Sequence, residues 1–475
     1  MLDPERARRL AHVALGESRA DETEVSVVQC EEELNRFTAD HPVQNLVRRM
    51  ASLVVRVRLD GREGKATTGT PTEEAVRRTV HRALEVAQHM PRAAEELELP
   101  GPQEGYRLRR REPLTPDPVH TADSVARLTA ACRAAGCSAA GIQGTVNDLR
   151  LVANSRGLEV WDLDTRAEVS LSAFAGDGAG WANGLAAGRD AIDVDGIART
   201  AVAKALDSRD AAAIPPGEYT VVLEPAAVAS LLLFASYKGF GAQQVEEGSS
   251  FLAGRMGQHV AHESVTITDD VHHPLAVGHV FDGEGVPRLG VPLIERGVAR
   301  GLVHDRRTAA REGCRTTGHA LPQPSAQGPL PMNLLLAPGS GTDLVRDVDR
   351  GILVTEFHYT NMVEPTRLTL TGMTRNGTFL IERGRVVRPI RNMRFTQSLV
   401  DAPLRGAPLR AGTAPRASRF VGRLDVARGR MARRRLAENV GLGVLAAGLG
   451  LSMGLELLQG LVAGLSGGIP MLSEV

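Results

Sequence analysis

From Gly248 to about residue 400 the chain runs through short apolar segments cut by Gly and Pro, without one long helical period. Such a stretch has too few amphipathic turns to bury itself as helices, so its backbone must pair in sheets. This predicts a β-rich domain with barrel-like or sandwich packing. The chain has 475 residues, more than one ordinary core holds, so other domains must precede this one. Only 3% of residues are aromatic, so the cores have to be aliphatic.

The first half alternates helix and strand signals. Residues 4–15 read as an amphipathic helix. Period-two segments follow at 24–28 and 53–59, and Asp60-Gly61 marks a hairpin turn before the return strand at 65–68. Thr70-Pro71-Thr72-Glu73 reads as a helix start, with Thr70 as cap and Glu73 closing a capping box. Val76, Val80, Leu84 and Ala87 are the buried stripe of that helix. Further helices are predicted at 123–135, 194–206 and 226–236, with a buried strand at 219–223. The segment 214–217, Ile-Pro-Pro-Gly, is the main boundary. The expected organisation is α+β: an N-terminal domain of antiparallel strands with covering helices (1–100), a central α+β segment (115–210), a β-rich barrel-like C-terminal domain (216–402), and a divergent Arg-rich, then apolar tail (403–475).

Charge and cysteine usage exclude some classes. Formal net charge is +0, which argues against a nucleic-acid surface. Cys30, Cys132, Cys137 and Cys314 form no CxxC pair and no disulfide framework. The N-terminus carries no apolar signal core, so a cytoplasmic location is expected. Of 56 basic residues only three are Lys, a skew better explained by a high-GC genome than by Arg-specific chemistry.

Several short motifs look chemical at first sight. His262-Glu263 could begin a zinc-protease HExxH, but position 266 is Thr and the flank alternates like a strand. His272-His273, near Asp269 and Asp270, reads as a polar turn rather than a metal site. Cys314 with His319 has no partner pattern and reads as a free thiol. Gly339-Ser340-Gly341 before Thr342–Val345 is too short for a phosphate loop and reads as a helix-capping turn. No Gly-x-Ser-x-Gly elbow occurs.

The specific signal lies in extended blocks. They are residues 281–287 (FDGEGVP), 293–305 (LIERGVARGLVHD), Thr308-Ala309, 317–320 (TGHA), 356–363 (EFHYTNMV), 370–377 (LTGMTRNG), 381–384 (IERG) and 391–398 (RNMRFTQS). At these residues the chain resembles the TldD/PmbA family of peptidases, also known as modulators of DNA gyrase. The likeness runs over roughly residues 20–400. The resemblance implies two related subunits that pair. The TldD type carries a His-Glu-x-x-x-His helix before a Gly-Ser-Ser/Thr-Ser turn, and a later Cys completes its zinc site. Here the matching turn is Gly248-Ser249-Ser250, and counting back puts Leu233, Phe234 and Lys238 at the motif positions. Leu and Phe offer no lone pair, an ammonium repels Zn²⁺, and no Cys follows Cys314. These departures resemble the PmbA (TldE) type of subunit.

The resemblance therefore implies a non-catalytic subunit of a heterodimeric zinc metalloprotease acting on unfolded peptides. It implies no catalytic residue and no metal in this chain, with zinc in a TldD-type partner. Glu356, His358, Asn361 and Arg375 are candidates for lining a shared cavity, the plain alternative being strand-end hydrogen bonding. An extended peptide is the expected ligand, nucleic acid is not, and a membrane role is not expected. One rival is a self-sufficient metallopeptidase using His262, Glu263, His272 or His358. The other is a membrane-attached interaction protein using the tail. In that tail, residues 402–440 carry ten Arg, and 439–455 is a 17-residue uncharged run interrupted after it by Glu456. Repeated Gly and the lack of aromatic anchors favour a frameshifted or replaced end over an evolved anchor.

Overall fold

A two-residue turn sets the first register. Asp60 and Gly61 both have positive φ (50° and 70°), the geometry that matches the twist of the strands they join. The computed structural model describes residues 3–39, 41–93, 95, 97–338, 344–400 and 420–427.

Helix α1 (Pro4–Glu17) starts at an Asp3 cap whose carboxylate accepts from the Arg6 N–H. It leads into β1 (Glu22–Thr38), β2 (His41–Leu59) and β3 (Arg62–Thr68), then α2 (Glu73–His89). The cap of α2 is Thr72, accepting from the Ala75 N–H, and not Thr70 as the sequence suggests. Pro71 sits one residue outside the cap, and the Thr72 N–H turns back to the Thr70 carbonyl instead. After α3 (Pro118–Ala134) come β4 (Ser138–Asn154), β5 (Glu159–Ala175), β6 (Gly178–Ala186) and α4 (Val194–Asp207). Asp117 caps α3, and Pro118 fits its first turn, so the helix starts five residues before the periodicity alone indicates.

The segments drawn as 1–100 and 115–210 each contribute three strands to one antiparallel sheet, ordered β3-β2-β1-β4-β5-β6. Two aliphatic cores cover one face. Val25, Leu53, Val55 and Leu149 pack against α1 and α2, and Phe37, Leu171 and Ala173 pack against α3 and α4. Contact under α2 is close: a Cβ on Gly64 would lie 2.0 Å from the Ala83 carbonyl oxygen, so only glycine fits. The opposite face carries Glu24, Arg56, Asp148, Asp162 and Asp164, and these are buried too. Val152, Leu158 and Val160 on that side meet Val271, Val280 and Phe281 of the second half.

The second half opens with β7 (Gly217–Leu223), α5 (Pro225–Lys238) and α6 (Ala242–Glu246). A small sheet follows from β8 (Ile267–Asp269), β9 (Val291–Glu295), β10 (Val298–Ala299) and, after α7 (Arg306–Glu312), β11 (Leu334–Leu336). The last strands are β12 (Arg350–Glu364), β13 (Thr369–Glu382), β14 (Arg385–Pro389), β15 (Arg394–Ser398) and β16 (Phe420–Ala427), in the order β12-β7-β16-β15-β13-β14. β12 also pairs with β13, which curves this sheet as the barrel-like expectation requires. Phe357 and Phe395 meet inside it at a tilt of 46° with centroids 4.5 Å apart, in one core with Val228 and Leu231 of α5. The strand β16 lies within the stretch assigned to the tail, so residues 420–427 are part of this sheet and the tail reading does not describe them. The turn at 339–343 and the remainder of the tail fall outside the described residues. Among the described residues no helix is long and apolar enough to cross a membrane.

Candidate functional site

Helix α5 buries Ala227, Val228, Leu231 and Ala235, the i, i+1, i+4, i+8 stripe that faces the sheet. Leu233 is about 200° round the helix from Leu231 and projects outward, 38% exposed. It is not a packing residue, as the run Leu231–Phe234 suggests. Leu232 and Phe234 are half-buried against the core. The Lys238 ammonium lies 5.1 Å from the centre of the Tyr237 ring. Leu233, Phe234 and Lys238 thus present an alkyl chain, a phenyl ring and a cation. No donor set for a metal exists there.

The middles of β12 and β13 build a polar cluster beside this helix. Glu356 lies opposite Arg375 in the strand register, and His358 opposite Met373. The Asn376 amide donates to the Glu356 carboxylate. Arg375 Nη1 lies 3.1–3.2 Å from both ring nitrogens of His358. Burial raises the Glu356 pKa; the Asn376 hydrogen bond and the charges of Arg375 and Lys204 oppose the rise. Burial, then the Arg375 charge, lowers that of His358. Asn361 is not part of the cluster. A left-handed Tyr359 (φ 51°) breaks the register before it, and Asn361 Oδ1 accepts from the neighbouring Met362 N–H at 2.8 Å. Two residues that sequence reasoning missed complete the cluster. Lys204 at the end of α4 makes a short ion pair with Glu224, which immediately precedes α5. Neither has a local sequence signal, because the contact joins separate domains. A carboxyl group, an imidazole and a guanidinium together can bind the carbonyls, amides and termini of an extended peptide.

The other sequence candidates are dispersed. His262 Nδ1 accepts from the Ser264 N–H at 3.2 Å, within a turn. The His272 N–H donates to Asp270 Oδ1 at 2.8 Å and the Leu275 N–H to His273 Nδ1 at 3.2 Å, so this is the polar turn foreseen. His319 Nε2 pairs with the buried Asp269 at 2.9 Å and does not meet Cys314. All four cysteines are free, and Cys314 alone of them is exposed.

A second polar centre, also without a sequence signal, fills the interface between the first sheet and the second half. His279 lies 3.3 Å from Asp148 and 3.8 Å from Asp162. Burial pulls its pKa down, but the two carboxylates more than offset this, and the net shift is upward. Arg150 and His279 hold Asp148 well below the carboxylate range against the penalty of burial.

Comparison with known proteins places this architecture. The PmbA/TldA metallopeptidase central domain matches residues 113–209, and the PmbA/TldA metallopeptidase C-terminal domain matches residues 216–405. A metalloprotease of Methanothermobacter thermautotrophicus is 30% identical over 213 residues, 42% of this chain and 46% of the relative. A metalloprotease TldD homolog of Haemophilus influenzae is 30% identical over 210 residues, 43% of each. The chain thus spans less than half the length of these curated relatives. In structure it is similar to TldE of Thermococcus kodakarensis (TM-score 0.74, 22% identity, covering 88% of this chain and 98% of that one). It is also similar to a Thermotoga maritima chain described as a modulator of a DNA gyrase (TM-score 0.75, 20% identity, 89% and 99%). The matched domains, the α+β architecture and the ordered sequence blocks agree, and the chain belongs to the TldD/PmbA family of metallopeptidases.

Proposed function

We propose that this chain is a non-catalytic, TldE-type subunit that pairs with a TldD-type metallopeptidase chain and helps it hold unfolded peptides. The observation that supports the reading is the chemistry of α5: Leu233, Phe234 and Lys238, which a gapless count back from Gly248-Ser249-Ser250 sets against the family's His-Glu-x-x-x-His, offer no metal donor. The partner would supply zinc and the general base. This chain would supply part of the cavity wall, with Glu356, His358 and Arg375 on it.

A sheet edge supports the pairing. Strand β3 hydrogen-bonds β2 only from Leu53 to Leu59, while β1 runs along all of β2. Residues 41–52 therefore have a strand partner on one side only, among the described residues. Val43, Leu46, Val47 and Met50 are exposed on this edge. Such an edge takes up another strand through backbone bonds with little sequence demand.

The test is co-expression with a TldD-type chain. The pair should co-elute at micromolar concentration and cleave unfolded peptides, whereas this chain alone should not. Stoichiometric, chelator-sensitive peptidase activity from this chain by itself overturns the reading, as does clean separation of the two chains.

A further inference from the structure

Eleven residues around α7 bring three metal-type donors of different chemistry together. His304 is buried, and Glu312 and Cys314 are exposed; one donor atom from each lies within 4.8 Å of the others. His304 Nδ1 faces Cys314 Sγ at 3.8 Å, and His304 Nε2 faces Glu312 Oε2 at 3.9 Å. The second distance is too long for a hydrogen bond. One ion takes one ring nitrogen, and Nδ1 is the one placed for it: its distance to Cys314 Sγ is a few tenths of an ångström wider than the roughly 3.6 Å between neighbouring nitrogen and sulfur ligands of a tetrahedral zinc ion, and the Glu312 carboxylate would swing to that side of the ring.

The backbone fixes two of the three. The His304 N–H donates to Thr317 Oγ1 at 2.7 Å, and the His304 carbonyl accepts from the Thr316 hydroxyl and the Thr317 and His319 N–H groups. Gly313, at φ 65°, turns the chain back at the end of α7, and the Cys314 N–H bonds the Ala309 carbonyl at 2.9 Å. That reversal places the thiol beside the imidazole. Glu312 is the adjustable arm, its side chain 45% exposed. The nearby cation Arg311 is occupied by Glu95 and Glu246.

We propose that His304, Glu312 and Cys314 form a binding site for one borderline-soft divalent cation of the zinc class, with water completing a tetrahedron. Binding replaces the thiol proton by the metal, so one proton leaves as the Cys314 sulfur–metal bond forms. A thiolate and an imidazole select against Mg²⁺ and Ca²⁺, which take oxygen ligands. The site is separate from the α5 positions and does not depend on the subunit reading above. The expectation of no metal in this chain came from α5 and from the missing later Cys, and neither bears on α7.

Cys314 makes the test clean, because the other three thiols are buried. The full chain is alkylated with iodoacetamide under native conditions, with Zn²⁺, with Mg²⁺ or with neither, and the modified mass is followed in time. Zn²⁺ should slow the reaction by about tenfold or more at one equivalent, and Mg²⁺ should not. Glu312→Ala, a surface change, should raise the zinc concentration needed for protection, and His304→Gln should remove protection. Co²⁺ should give a thiolate charge-transfer band that Cys314→Ser abolishes. Equal alkylation with and without Zn²⁺, or equal protection in Glu312→Ala and His304→Gln, overturns the proposal. Peptidase activity enters none of these readouts, so the outcome is independent of whether the chain is catalytic.

Discussion

Lys204, in the last turn of α4, forms an ion pair with Glu224, the residue from which α5 starts. Both side chains are largely buried, 16% and 15% exposed. The pair fastens α4 to the start of α5. Lys204→Met should leave the Glu224 carboxylate unpaired in a poorly solvated place and cost about 1–3 kcal/mol. Denaturant midpoints measure this. A double cycle with Glu224→Gln should recover part of the loss, and a purely additive cycle would show that the two residues are not coupled.

Glu356 gives a pH signature of defined sign. Its folded pKa is raised from 4.5 by burial, so the folded state holds the proton more tightly than the unfolded chain does. Its contribution to stability is therefore greatest below the unfolded value and declines as pH rises through the folded one. Glu356→Gln keeps an acceptor for Asn376 without the charge. The variant should gain on the wild type as pH rises from about 4.5 towards neutrality, then run parallel. A difference that stays flat or shrinks over that range would falsify the account.

His279 should matter more. It lies between Asp148 and Asp162, and taking it away removes a shared partner from two buried carboxylates. His279→Gln should cost about 3–5 kcal/mol near pH 6. Because the folded pKa is raised above 6.5, the stabilisation is complete below the unfolded value and is lost as pH rises through the folded one. The penalty should accordingly be smaller in alkaline solution. Urea melts at several pH values test it.

How far the sequence went is clear from these residues. Strand and helix order were legible because each half-buried element follows its own period, as in α4 and β7, whose bounds differ from the sequence reading by one or two residues. The register at Asp60-Gly61 was legible because its turn chemistry is local. The His279 centre was not. Polar residues such as Asp148, Asp162 and Asp164 alternate along β4 and β5 as a solvent face would. Only the arrival of residues about 120 positions later buries them, and no periodicity within a strand records that. The same reason hid Lys204–Glu224. His304 and Cys314 were hidden differently: the sequence pairs Cys314 with His319 by proximity, but the reversal at Gly313 turns the thiol to His304.

Leu231 and Leu233 separate the two faces of α5. Leu231, 6% exposed, fills the core, and Leu231→Ala should cost about 2–5 kcal/mol. Leu233→Asp should leave stability within about 1 kcal/mol of the wild type. If the outward face meets a TldD-type chain, Leu233→Asp should weaken co-elution while circular dichroism is unchanged. The same contrast applies to Val47→Lys on the open edge of β2. Normal pairing in both variants would place the interface elsewhere.

The position of β16 has a consequence for how the chain is made. It lies between β7 and β15, antiparallel to both, with Phe420 opposite Leu223 and Val426 opposite Gly217. The strands on either side are synthesised first, one of them some two hundred residues earlier. On a ribosome the second sheet, joined through β12 and β13, must therefore wait with one edge of β7 and one of β15 unpaired until residue 427 has emerged. A messenger that stops near codon 402 would release a chain whose first sheet is finished and whose second is permanently open.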